Sequence, residues 1–115
     1  MHIDITKLKS WNVAVDKMSV WTDHYVFGLP TNALAIDFNT FEDSCMCEAM
    51  ELAHQVVGKF EPMFDDEEDY FNVHQEVACE LQQFAFGVFK DLVQMKIERI
   101  EKHATVLKEL LSEMQ

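Results

Sequence analysis

The chain has 115 residues, with 21 acidic side chains against 9 basic ones and a formal charge of −12. Hydrophobic residues make up 49% and Gly plus Pro only five positions, which excludes a disordered acidic tail. The length suits one domain over residues 1–115, with a compact radius of gyration of roughly 13 Å.

The charge also argues against direct binding of nucleic acid or anionic membranes, because both need a basic surface. No signal peptide is expected: a basic start leading into an apolar stretch is missing. The longest strongly apolar run, Phe84 to Phe89, falls far short of the ~20 residues that span a bilayer. Three cysteines, Cys45, Cys47 and Cys79, are an odd and sparse set, which suggests a reducing, cytoplasmic setting over a disulfide scaffold.

In chain order, Ile5, Leu8, Trp11, Val15, Met18 and Tyr25 fall near helical spacing and predict a first helix over about 5–26. Trp11 to Val15 and Val20 to Phe27 are rich in β-formers, so a hairpin or short β element within 11–38 is the alternative. Residues 33–38 suit either a short strand or a helical turn. Thr40 with Asp43 three residues on resembles a capping box for a second helix. At 100° per residue its apolar half holds Cys45, Ala49, Leu52, Ala53, Val56, Val57 and Phe60. The opposite half carries Cys47, Glu48, Glu51 and His54, and the helix should end before Pro62.

The run Asp65-Asp66-Glu67-Glu68-Asp69 suits the first turn of a third helix, where negative charge complements the dipole. Beyond it two apolar stripes appear: Val73, Val77, Leu81, Phe84 and Val88, and a second from Phe86 and Phe89 to Met114. In the second, Val93, Ile97, Ile100, Ala104, Leu107 and Leu111 alternate in steps of three and four, a coiled-coil-like seam. An unbroken helix over 70–114 would be roughly 65 Å long, about twice the width of a compact chain of this size. Either it breaks near Gly87 and folds back, or its end projects towards a second subunit. The scarcity of loop residues around Gly87 favours the long helix and a homodimer. The expected architecture is thus a mainly α bundle of three to five helices with a long C-terminal amphipathic helix.

The charge is unevenly spread. Residues 1–36 and 81–115 are each balanced, whereas residues 37–80 hold thirteen acids and the single base Lys59. Such a run is ordinarily a solvated face plus a helix start. The sharper reading is a docking surface formed by Glu48, Glu51, Asp65, Asp66, Glu67, Glu68, Asp69, Glu76 and Glu80. Glu76 and Glu80, like charges four apart, cost a few tenths of a kcal/mol with no local return. Helical carboxylates about 5–6 Å apart can imitate part of a phosphate array. Asp65 to Asp69 lacks the alternating ligands, Gly and distal Glu of a calcium loop.

Other constellations are weaker. Glu51-x-x-His54 has the spacing of a di-iron bundle ligand pair, but both residues lie opposite the apolar face and no second copy follows. Cys45 and Cys47 point about 200° apart on a helix, which suits zinc poorly. Phosphate loops, nucleophile elbows and HExxH motifs are missing, and no cofactor is expected. Seven Met and nine Phe read as core before they read as an adaptable groove.

The leading expectation is therefore a non-enzymatic acidic module that occludes a basic protein surface, a nucleic-acid-binding enzyme or complex being the natural target. Anti-restriction and anti-CRISPR inhibitors and nuclease-immunity proteins share this size and charge, though no residue motif places the chain among them. The alternatives are a homodimeric structural or regulatory protein and, more remotely, a metal-dependent oxidoreductase using Glu51 and His54.

Overall fold

The computed structural model describes residues 4–28 and 38–115. Among them a short 3-10 turn, Ile5–Lys7, precedes helix α1 (Lys9–Gly28), followed by α2 (Phe38–Val57), a second 3-10 segment (Gly58–Met63) and α3 (Glu67–Glu113). No strand occurs among the described residues, and the mainly helical bundle with a long C-terminal helix is the observed architecture.

Helix α1 forms through the stretch that could have been a hairpin, so no β element occupies 11–28. The reason is an apolar row at four-residue spacing: Ala14, Met18, Thr22 and Val26 are all buried. Burial of Thr22 is tolerated because its Oγ1 donates to the Met18 carbonyl at 2.8 Å. Residues 29–37, which include most of the 33–38 segment, lie outside the described residues.

Helix α2 begins at Phe38, so Thr40 sits inside its first turn and cannot be the N-cap that the capping box required. Its buried face is otherwise the expected one: Cys45, Ala49, Leu52, Ala53, Val56 and Val57 are buried, whereas Phe60, expected on the same helix, falls half-buried in the 3-10 segment because α2 ends at Val57. Phe41 joins them and becomes the centre of the core. Its ring stacks on Phe89 at a centroid distance of 4.0 Å and also meets Trp21, Tyr25 and Phe86. One side chain of α2 thereby ties α1 to α3, and burying such a ring contributes roughly 1.5–3 kcal/mol.

Asp66 caps α3, its carboxylate accepting from the Glu68 N–H at 2.9 Å. The helix then runs 47 residues without interruption through Gly87, about 70 Å at 1.5 Å per residue. It accounts for the 76 Å length of the molecule and for a radius of gyration of 19.5 Å, well above the compact value. Between the two apolar stripes the bundle buries Ala78, Gln82 and Ala85, together with Val77 and Leu81 of the first stripe and Phe89 of the second. From Ile97 onwards every residue is exposed.

Candidate partner-binding surfaces

The acidic candidates fall at three places. Asp65 and Asp69 line a cleft of about 380 Å³ with Met63, Phe64, Asn72 and Val73, at the corner where the 3-10 segment meets α3. Asp66, Glu67 and Glu68 are exposed at the same corner, where Asp66 is also the helix cap. Glu76 and Glu80 are exposed on α3, and at 100° per residue they share with Asp69 an arc of about 40° on one flank. Glu51 is exposed on α2, whereas Glu48 is half-buried in a groove against Asp16, Lys17, Val20 and Trp21 of α1. Glu48 is therefore separated from the α3 flank.

Nothing local relieves this charge. Among the described residues the one ion pair is Asp4–Lys7, at 3.7 Å and far from the block. Lys17, beside Glu48, donates instead to Gln55 Oε1 at 3.1 Å. Lys59, the only base of residues 37–80, lies over the ring of Phe60.

The acidic corner also exposes apolar surface that the sequence assigned to the core. Met63 and Phe71 are 56% and 55% exposed. Phe71 sits one turn into α3, where Tyr70 and Val73 pack against the core while its own ring is left largely outside it. Behind the corner a ring ladder links Phe64 to Tyr70, Tyr70 to His74 and His74 to His54. Among the described residues the Tyr70 hydroxyl has no hydrogen-bond partner, and its pKa is raised by desolvation and by Glu61 nearby.

The second surface is the projecting part of α3. Of the seam residues only Val93 is half-buried; Ile97, Ile100, Ala104, Leu107 and Leu111 are all exposed. Met95, Val106, Leu110 and Met114 add to the exposed apolar area. Two basic residues whose role the sequence did not reveal lie where the bundle ends. Lys96 Nζ donates to the Val26 carbonyl at 3.0 Å, and Arg99 lies 5.0 Å over the Phe27 ring. Both favour the negative end of the α1 dipole.

The remaining candidates stay apart. His54 and Glu51 are exposed, and among the described residues no three His, Cys, Asp or Glu side chains converge as metal ligands would. Cys45 is buried, and desolvation, helped by Glu42 and Glu48, pushes its thiol up to about 12, while Cys47 and Cys79 are exposed. No described helix is long and apolar enough to cross a membrane. No family model matches the chain, no curated protein matches it, and no solved structure matches its fold.

Proposed function

We propose that the protein is a non-enzymatic binding module whose acidic corner docks on a basic protein surface and occludes it. The observation that carries this reading is the unrelieved charge around the start of α3: among the described residues, the carboxylates there and along its flank form no ion pair. Keeping them so costs stability through repulsion, and a partner lined with Lys and Arg turns that cost into attraction. Exposed Met63 and Phe71 at the same corner supply apolar surface that such a contact would bury. A groove that ordinarily holds nucleic acid is the natural target, since it is built to attract dense negative charge. The test is the ionic-strength dependence of the captured partner. A charge-driven complex weakens steeply as salt shortens the Debye length from about 10 Å at 0.1 M to about 3 Å at 1 M. Retention unchanged across that range would contradict it.

A second reading, self-association through α3, is favoured by one specific observation. Ile97, Ile100, Leu107, Leu111 and Met114 form an exposed apolar stripe on a helix that, among the described residues, no other element covers. The two readings use different surfaces and are compatible. The homodimer would present two acidic corners.

A further inference from the structure

We infer that the projecting part of α3 is covered by the same segment of a second copy running antiparallel, in a register set by the heptad pattern and by Glu101 and Lys108. The inference rests on the self-association reading and adds orientation and register to it.

The first argument is steric. At 100° per residue, buried Ala78, Gln82, Ala85 and Phe89 share an arc of about 80° with exposed Ile100, Leu107, Leu111 and Met114, with buried Val77 and Leu81 to one side of it and exposed Ile97 and Ala104 to the other. The face that α1 and α2 cover in the bundle therefore overlaps the face left bare beyond it. In a parallel pair the second copy's straight α3 would have to continue through the space that α1 and α2 occupy. An antiparallel copy avoids this, because its helix arrives tip first from the open end. Lys96 bonded to Val26 and Arg99 over Phe27 mark where α1 stops. The free face begins at Ile97, and the last seam residue is Met114.

The heptad pattern then selects a register. Facing Ile97 with Met114 of the second copy sets Ile100 against Leu111 and Ala104 against Leu107, each layer occurring twice by symmetry. Shifting by one heptad away from the bundle would shorten this seam to two distinct layers. The chosen register also brings Glu101 beside Lys108 of the second copy, twice. The neighbouring register places Glu101 against its own symmetry mate. Antiparallel pairing further keeps the two acidic blocks at opposite ends of the dimer, where like charges are well separated. The overlap spans 18 residues, or about five turns, which is short for a permanent interface and gives a dimer that dissociates on dilution.

The experiment uses the full chain with Cys47→Ser and Cys79→Ser, carrying a spin label at Asp91→Cys on the exposed outer side of α3. Sedimentation velocity at rising concentration should show a monomer–dimer equilibrium. A chain still monomeric at 200 µM, a concentration chosen for the test, overturns the self-association reading itself. For the dimer, the antiparallel register predicts a label separation of about 50 Å, whereas a parallel pair gives about 25–30 Å. A dimer with the short distance overturns the orientation while leaving self-association standing. Glu101→Lys should weaken the dimer about fivefold, and Glu101→Lys with Lys108→Glu should restore it to within twofold. Failure of that rescue overturns the register.

Discussion

Lys96 donates a 3.0 Å hydrogen bond to the backbone carbonyl of Val26, seventy residues away in sequence. The contact fixes the C-terminal turn of α1 to α3 and divides that helix into a covered half and a bare half. An ammonium on a helix C-terminus satisfies an orphan carbonyl and meets the negative end of the dipole together. Lys96→Met, which keeps the apolar stem, should lower unfolding free energy by about 1–2 kcal/mol in urea titration. An unchanged midpoint would mean that the bond adds nothing over solvation.

Gly87 lies in mid-helix, where a break was one of the two options. The helix passes straight through it, and a Cβ built there meets nothing within 4 Å. Gly87→Ala should therefore stabilise the protein by about 0.5–1 kcal/mol through backbone entropy alone. Destabilisation measured by thermal or urea unfolding would show that the helix needs flexibility at this point.

Phe41 bridges all three helices through its stack on Phe89 and its contacts with Trp21 and Tyr25. Phe41→Ala should cost about 3–5 kcal/mol, enough to unfold a marginal domain. Phe71→Ala, at an exposed site, should stay within about 0.5 kcal/mol on the same assay.

The three thiols should separate by reactivity. Cys47 and Cys79 are exposed and should be alkylated in the native protein, whereas buried Cys45 should react only after unfolding. Its thiol is neutral in the folded state up to about 12, against an ordinary value of 9.0. Because the folded pKa is the higher one, this contribution is fully present below pH 9 and is lost as pH rises towards 12. Cys45→Ala should flatten part of the alkaline loss of stability, measured as urea midpoint against pH.

Much of the fold was legible because apolar spacing and helix length are local properties. The buried face of α2 and the uninterrupted α3 follow from periodicity and from the lack of loop residues around Gly87. The hairpin alternative in 11–28 arose because β-branched and aromatic residues fill α1, and tertiary burial of Ala14, Met18 and Val26 outweighs that propensity. The Thr40 cap was misplaced because α2 begins earlier than its apolar pattern. For the acidic surface the sequence supplied the charge but not its division, since the distance of Glu48 from the α3 flank depends on how α1 packs on α2. Nor could it reveal Lys96 on Val26 or the exposed Phe71, which depend on how the helices pack on one another.

The central claim is that the carboxylates at the start of α3 hold a cationic partner. The most direct measurement is affinity capture of the partner by the wild-type chain and by a variant carrying Asp65→Asn, Glu67→Gln, Glu68→Gln and Asp69→Asn. Asp66 is retained so that the helix cap survives, and circular dichroism verifies the fold. The account predicts one dominant basic protein held by the wild type at low salt and at least tenfold depleted on the variant. Equal recovery of that protein on the two baits would contradict it.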